Sequence, residues 1–155
     1  MNFTLNGAAT QLDADPKAPL LYLLRQHGDA SGVRFGCGAG QCGACTVLLD
    51  GVAEPSCLLS NAQAEGRRVQ TPEGLARDRV GAVVRQAFLD EQAAQCGYCI
   101  NGIMMSLTAL LTRRPAPDND ALTACLDRHL CRCGTHLRIL RAARRAIAAL
   151  AALDT

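Results

Sequence analysis

Clustered cysteines constrain this chain more than any other feature of its sequence. Nine cysteines occur in 155 residues, and an odd number does not fit a framework of paired disulfides. The chain starts with Met-Asn-Phe-Thr, without the basic and apolar segments of a secretion signal, so we expect a cytoplasmic protein with reduced thiols. Such a density of reduced cysteine indicates metal or redox chemistry. The cysteines are Cys37, Cys42, Cys45, Cys57, Cys96, Cys99, Cys125, Cys131 and Cys133.

Composition bounds the class of protein. A chain of this length holds one ordinary domain or two small ones, and 49% hydrophobic with 19% charged residues is typical of a globular protein. Aromatic residues make up 3% and the net charge is +2, so neither base stacking nor phosphate attraction supports a nucleic-acid partner. Asn101, Gly102 and the arginines from Arg138 onward interrupt the apolar stretches, so no membrane span is expected.

The first half of the sequence predicts strands joined by tight turns. Asn6-Gly7 and Asp50-Gly51 are two-residue hairpin signals, and the second hairpin is expected to carry Cys57 on its returning strand. Between the hairpins, leucines at helical spacing predict a helix over residues 19–27 that stops at Gly28. The pattern therefore indicates a small mixed sheet packed against one helix.

The second half of the sequence has a helical pattern. Prolines follow the second helix of this half, and Asp118 or Asn119 can cap the next one. The segment over residues 65–79, with a proline and two glycines, is interpreted as the connection between the halves. We predict helices over residues 80–88, 100–111, about 119–126 and 138–153, which fit a compact four-helix bundle.

Four cysteines of the first half form the pattern C-x4-C-x2-C-x11-C. The first three spacings are those of the loop that binds a [2Fe–2S] cluster in plant-type ferredoxins. Glycines in such a loop permit positive φ and bring backbone N–H groups close to the cluster sulfur atoms. The ligands would be Cys37, Cys42, Cys45 and Cys57, and the glycines are Gly36, Gly38, Gly40 and Gly43.

Two other interpretations of this loop are weaker. Gly38-x-Gly40-x-x-Gly43 matches the dinucleotide-binding fingerprint, but no buried strand precedes it and a strand rather than a helix is expected to follow. A structural zinc site is also rich in sulfur, yet zinc sites favour paired knuckles over a C-x4-C-x2-C loop. We therefore interpret the loop as an iron–sulfur site.

A second set of cysteines forms the pattern C-x2-C-x31-C-x-C over Cys96, Cys99, Cys131 and Cys133. Both pairs fall at or near predicted helix ends, so four thiolates can meet at one end of the bundle. A thioredoxin-like dithiol is disfavoured because no βαβ pattern surrounds the C-x-x-C. Spacing alone leaves iron–sulfur and zinc both open for this set.

Other residues with metal or docking chemistry have simpler interpretations. Cys125 lies within a predicted helix as a small buried hydrophobe. His129 and His136 flank the last two cysteines, so a Cys/His metal site is an alternative, although a local polar contact is favoured. A basic helical face is interpreted as solvated, with docking on an acidic partner as the alternative. Its members are Arg138, Arg141, Arg144 and Arg145.

Three motifs occur in a recognisable order. They are Gly36-Cys-Gly-x-Gly-x-Cys-Gly-Ala-Cys-Thr46, Gln95-Cys-Gly-Tyr-Cys99 and Cys131-Arg-Cys-Gly134. Together they resemble the small iron–sulfur subunits of molybdenum hydroxylases, the family of xanthine dehydrogenase, aldehyde oxidoreductase and carbon-monoxide dehydrogenase. Within that family, the segment from Cys131 to Ile139 looks most like the small subunits of isoquinoline 1-oxidoreductase and nicotinate dehydrogenase.

The resemblance implies an α+β chain with two domains. Residues 1–74 would form a β-grasp, plant-type ferredoxin-like domain with one [2Fe–2S] cluster on the first set of cysteines. Residues 75–155 would form a four-helix bundle with a second [2Fe–2S] cluster on Cys96, Cys99, Cys131 and Cys133. Gln95 and Cys133 would also lie nearest the molybdopterin of a large partner subunit.

The function that the resemblance implies is electron transfer without catalysis by this chain. Electrons would pass from the molybdopterin centre of the large subunit, which hydroxylates an N-heteroaromatic compound or an aldehyde, through both clusters to an external acceptor. The candidate acceptors are a cytochrome and a flavin subunit. The alternatives are a module with two structural zinc sites and a free-standing ferredoxin-like carrier.

Overall fold

Within residues 1–27 and 30–153, which the computed structural model describes, five strands form one mixed sheet. The strands are β1 Asn2–Leu5, β2 Ala8–Gln11, β3 Thr46–Leu49, β4 Val52–Pro55 and β5 Arg68–Gln70. Their order across the sheet is β2-β1-β5-β3-β4, in which β1 and β5 are parallel and the other neighbours are antiparallel.

Both predicted hairpin turns are present. Asn6 and Gly7 have φ angles of 50° and 88°, and Asp50 and Gly51 have φ angles of 50° and 84°. Two successive positive φ angles match the twist of the flanking strands, which explains the Asn-Gly and Asp-Gly pairs. The prediction that the returning strand carries Cys57 is wrong, because β4 ends at Pro55 and Cys57 lies in the turn that follows.

The segment over residues 65–79 is not merely a connection, so that interpretation is wrong. Arg68–Gln70 form β5 in the middle of the sheet, parallel to β1 and antiparallel to β3. Pro72–Arg77 form a 3-10 helix. Because β5 is three residues long with Val69 as its one apolar side chain, it shows no alternation in the sequence.

The helices of the second half agree with the predicted positions. Asp78 accepts a hydrogen bond from the Gly81 N–H (2.6 Å) at the start of the helix Arg79–Asp90. Asp118 accepts one from the Ala121 N–H (2.8 Å) at the start of the helix Asn119–Leu126. The helix stop predicted at Gly28 lies outside the described residues. The helices are α1 Leu20–Gln26, α2 Asn61–Ala64, α3 Arg79–Asp90, α4 Ile100–Arg113, α5 Asn119–Leu126 and α6 His136–Leu153. Over residues 1–27 and 30–153, no helix has the length and apolar character needed to cross a membrane.

Strand β3 joins the two hydrophobic clusters of the chain. Val47 and Leu49 pack with the leucines of α1, whereas Leu48 belongs to the cluster formed by the helices of the second half. Successive side chains of a strand point to opposite faces, so the sheet is covered by α1 on one face and by α4 on the other. The α+β class is confirmed. The β-grasp and four-helix-bundle descriptions, and the domain boundary after residue 74, stay predictions.

Candidate metal centres

The loop between α1 and β3 surrounds its first thiol with backbone N–H groups. The N–H groups of Ala39 and Gln41 lie 3.3 Å and 3.2 Å from Sγ of Cys37, and the N–H of Cys37 lies 3.3 Å from Sγ of Cys42. Glycines at φ of 68° and 71° turn the chain between the two cysteines. The N–H groups of Ala39 and then Gln41 are the main causes that lower the pKa of Cys37 to about 6. The loop is therefore built to hold an anionic sulfur.

The other two cysteines of the first set are buried. Cys45 immediately precedes β3 and Cys57 follows β4, so the antiparallel pairing of these strands brings the two thiols into contact. The hydroxyl of Ser56 donates a hydrogen bond of 2.8 Å to the carbonyl of Cys45 and fixes this corner. Burial, followed by the neighbouring Cys57 thiol, raises the pKa of Cys45 to about 11. The uncharged thiol of Cys45 is thus favoured until a metal displaces its proton.

The second set also ranges from an exposed to a buried cysteine, with Cys131 and Cys133 half-buried. Cys96 is exposed, and its pKa is lowered first by the backbone N–H of Tyr98 and then by the thiol of Cys133. Cys99 is buried, and burial followed by the adjacent Cys131 raises its pKa to about 12. The four thiols therefore associate as Cys96 with Cys133 and Cys99 with Cys131.

Thr135 supports one member of this set. Its hydroxyl oxygen lies 3.5 Å from Sγ of Cys131. Burial alone would raise the pKa of Cys131, but the Thr135 hydroxyl and backbone N–H outweigh it and lower the pKa to about 7. Each set thus has at least one thiol with a lowered pKa beside thiols whose burial opposes ionisation.

The pairwise association of the thiols bears on which metal group fits. Among residues 1–27 and 30–153, no three His, Cys, Asp or Glu side chains come close enough to share one metal ion. A structural zinc site needs four ligands around a single ion, and this arrangement does not supply them. A [2Fe–2S] cluster takes four cysteines on two irons, so two pairs of thiols suit it. The donor sets fit two such clusters better than two zinc ions.

The two cysteine sets lie against each other. The N–H of Leu130, next to Cys131, donates a hydrogen bond of 3.1 Å to the carbonyl of Cys42. Helix α4 also approaches the first loop so closely that a Cβ on Gly102 would lie 2.0 Å from the carbonyl oxygen of Gly43. The loop of the first set is thereby clamped by α4 together with the segment that leads to the last cysteines.

His129 takes part in this clamp. Its Nε2 lies 2.8 Å from the hydroxyl of Ser106 on α4, and a Cβ on Gly43 would lie 2.1 Å from its Nδ1. Burial, with a smaller effect from the charge of Arg128, lowers the pKa of His129 to about 4, so the imidazole is neutral. The polar contact predicted for His129 is present, with Ser106 of the same half of the chain, and the ring also lies against Gly43 of the first half, which the sequence pattern did not reveal.

A second contact between the halves involves Tyr98 in the C-x-x-C motif. Its hydroxyl donates a hydrogen bond to the carbonyl of Phe35, and the guanidinium of Arg34 lies 5.8 Å from the centre of its ring. Asn101 donates a hydrogen bond of 3.0 Å to the carbonyl of Gly32. Sequence reasoning missed these residues because nothing in their spacing links them to the first loop.

The remaining candidate residues fall into two groups. Gln95 is exposed next to Cys96, at the same edge as Cys133. Its assignment and that of Cys133 to a molybdopterin contact stay predictions. Cys125 lies apart from both sets in α5, and burial raises its pKa to about 11. His136 is exposed at the start of α6.

The basic face of α6 is engaged within the chain. Arg145 lies 3.0 Å from a carboxylate oxygen of Asp90, Arg141 lies 3.4 Å from Glu91, and Arg138 donates to the carbonyl of Gln92 at 3.3 Å. These partners lie at or just beyond the end of α3. All four arginines are exposed, which agrees with the solvated interpretation, and their contacts with the end of α3 are an addition that the sequence pattern did not predict.

Comparison with protein families gives two matches that together cover most of the chain. A family described as a 2Fe-2S iron-sulfur cluster binding domain matches residues 3–76. A family described as a [2Fe-2S] binding domain matches residues 71–144. Each match contains one of the two cysteine sets.

Known proteins of similar sequence cover nearly the same length. The chain is 37% identical over 147 residues to the nicotinate dehydrogenase small FeS subunit of Eubacterium barkeri, covering 95% of this chain and 94% of that protein. It is 42% identical over 147 residues to the alpha subunit of isoquinoline 1-oxidoreductase from Brevundimonas diminuta, and the match covers 94% of this chain and 96% of that protein. The solved aldehyde oxidoreductase of Desulfovibrio desulfuricans superposes with a TM-score of 0.88 at 33% identity, over 97% of this chain but 17% of that longer chain.

Proposed function

Because this chain belongs to the iron–sulfur subunits of the molybdenum hydroxylases, we propose that it passes electrons from the molybdopterin centre of a large partner subunit to an external acceptor. The chain is the non-catalytic iron–sulfur subunit of an oxidoreductase and carries two [2Fe–2S]-binding domains. A bound [2Fe–2S] cluster supplies one-electron storage at low potential, so an electron pair can leave as single electrons.

The association of eight cysteines as four pairs is the observation that carries this proposal. Each set has one exposed cysteine at the surface, Cys37 or Cys96, and at least one buried cysteine beneath it. We propose that the first cluster is held by Cys37, Cys42, Cys45 and Cys57, and the second by Cys96, Cys99, Cys131 and Cys133. A carrier with an entry and an exit needs two exposed ends, and Cys96 and Cys37 provide them.

The resemblance to the family supports one direction of transfer. The second set, with Gln95 beside it, would face the large subunit, and the first set would face the acceptor. Gln95 presents an amide that can both donate and accept hydrogen bonds to a pterin. The hydroxylated substrate is proposed to be an N-heteroaromatic compound or an aldehyde, and the names of the nicotinate and isoquinoline relatives support the former. A flavin subunit or a cytochrome would take the electrons.

Metal analysis tests the ligand assignment. The purified protein should contain about four irons and four acid-labile sulfides per chain. Stoichiometric zinc, or iron near two per chain, would contradict the proposal. The chain alone, free of its partner, should not reduce a dye with any substrate, because eight of its thiols are assigned to closed sites and no open metal position with a base or nucleophile beside it occurs in the part of the chain that the structure describes.

The direction of transfer has its own test in the assembled complex. With Cys131→Ala, substrate should no longer reduce the first cluster, as followed by freeze-quench EPR. With Cys37→Ala, substrate should still reduce the second cluster while transfer to the acceptor fails. Normal reduction of the first cluster in the Cys131→Ala complex would show that the order is wrong.

A further inference from the structure

His129 occupies a position that neither cysteine motif includes. It precedes Cys131 by two residues in sequence, yet its ring lies against Gly43, between Cys42 and Cys45 of the other set. The side chain is buried, with 6% of its surface exposed. Its Nε2 is fixed by the Ser106 hydroxyl at 2.8 Å, so the ring has a defined orientation.

Gly43 is held on more than one side. A Cβ there would lie 2.1 Å from Nδ1 of His129, and its carbonyl oxygen is covered by Gly102 of α4. The same carbonyl accepts hydrogen bonds from the Thr46 hydroxyl at 2.7 Å and from the Thr46 N–H at 3.2 Å. Since cysteines lie one residue before and two residues after Gly43, any movement of Gly43 moves ligands of the first set.

The backbone next to His129 completes the contact. Leu130 N–H donates to the carbonyl of Cys42 at 3.1 Å, so two successive residues of the second segment touch the first loop. A side chain that only filled space would not need a hydrogen bond to α4 to orient it. An imidazole with one fixed nitrogen presents its other edge to Gly43 at a defined distance.

We propose that His129 is a positioning residue that holds the Cys42–Cys45 loop against the segment leading to Cys131, and so sets the spacing of the two clusters and the environment of the first one. This inference rests on the proposed function, because it requires both clusters. It assigns to His129 an effect on the cluster that is remote in sequence rather than on the cluster beside it.

The test compares variants of the iron-loaded chain. His129→Ala removes the ring, and His129→Gln keeps a polar group that can reach Ser106. His136→Gln is the matched control, since His136 lies three residues after Cys133 but is exposed. The measurements are iron content, the EPR spectrum of each cluster, the low-temperature splitting caused by spin coupling between the two reduced clusters, and the midpoint potential of each cluster. A parent chain without four irons would refute the proposed function itself, before any variant is compared.

With His129→Ala, we expect the splitting to weaken and the spectrum and potential of the first cluster to shift, while those of the second stay unchanged. Selective loss of the first cluster would support the same conclusion. His129→Gln should restore part of the parent behaviour, and His136→Gln all of it. Parent-like signals in His129→Ala, or changes confined to the second cluster, would overturn the proposal.

If the His129→Ala protein cannot be obtained in folded form, Ser106→Ala tests the positioning role instead. It removes only the hydroxyl that fixes Nε2, so we expect a smaller change in the first cluster in the same direction. Unchanged splitting and an unchanged first cluster in Ser106→Ala would then refute the positioning role.

Discussion

Gly102→Ala tests how tightly α4 presses on the first cysteine loop. Gly102 lies within α4, and a Cβ there would come 2.0 Å from the Gly43 carbonyl oxygen and 3.4 Å from Cα of Ala44. Both contacts are with backbone, so no flexible side chain can move aside. The loop or the helix must shift by an ångström or more, and Gly43 is the residue between two cluster ligands.

The expected loss of stability combines three effects. Overpacking of a well-packed site costs about 1–3 kcal/mol. Displacing the Gly43 carbonyl weakens its two hydrogen bonds from Thr46, each contributing about 0.5–1.5 kcal/mol. Alanine recovers about 1 kcal/mol of helix propensity relative to glycine. The net destabilisation is about 3 kcal/mol, which corresponds to a fall in Tm of roughly 6–12 °C for a chain of this size.

Thermal unfolding of the iron-loaded chain, followed by circular dichroism and by bleaching of the cluster absorbance, measures this effect. The comparison variant is Gly81→Ala in α3, where a Cβ would lie 2.8 Å from a side-chain atom and 2.9 Å from the carbonyl oxygen of Leu75, a smaller overlap than at Gly102. We expect a smaller fall in Tm for Gly81→Ala and no change in the EPR of the first cluster. A Gly102→Ala chain with the Tm and first-cluster EPR of the parent would refute the close packing of α4 on this loop.

Further predictions concern a helix cap and the unassigned cysteine. Asp78→Ala removes the acceptor for the Gly81 N–H at the start of α3, so we expect a loss of about 1 kcal/mol, measured as a fall in Tm of about 2–4 °C; Asp78→Asn should retain most of the stability. Cys125→Ala should leave the iron content unchanged, and bleaching of either cluster would show that the ligand set is wrong. Burial raises the pKa of Cys125 to about 11, so its alkylation in the native chain should be slow at about pH 8 and rise about tenfold per pH unit up to its pKa; a rate that is already at its plateau at about pH 8 would contradict this.

The predictions that succeeded rest on local chemistry. A turn with two positive φ angles requires residues such as Asn-Gly and Asp-Gly, so both hairpins could be located from four residues. The cysteine spacings likewise predict a loop in which glycines permit the turns and backbone N–H groups approach the sulfur atoms. The recognition of the family is confirmed by relatives that cover nearly the whole chain.

The interpretations that were wrong or incomplete concern segments with distant partners. Residues 68–70 carry one apolar side chain, so β5 exists because β1 and β3 supply its hydrogen bonds, not because of its own pattern. The arginines of α6 form a face in the sequence, but the carboxylates that engage them lie about fifty residues earlier, at the end of α3. The sequence pattern predicts a basic face, but it does not identify the carboxylates that contact that face.

The contact between the two cysteine sets is the part of the site that the sequence conceals most completely. It depends on two glycines, Gly43 and Gly102, whose lack of a Cβ lets backbone approach backbone, and on His129, whose type alone suggested a local role. Each of these residues also has a local explanation: Gly43 lies in a turn, Gly102 lowers the helix propensity of α4, and His129 is a polar residue near the last cysteines. Only the tertiary arrangement shows that they meet at one place. Two of these residues, Gly102 and His129, lie outside both motifs and both lie against Gly43, so substitutions at these two positions test whether they set the spacing of the two sets.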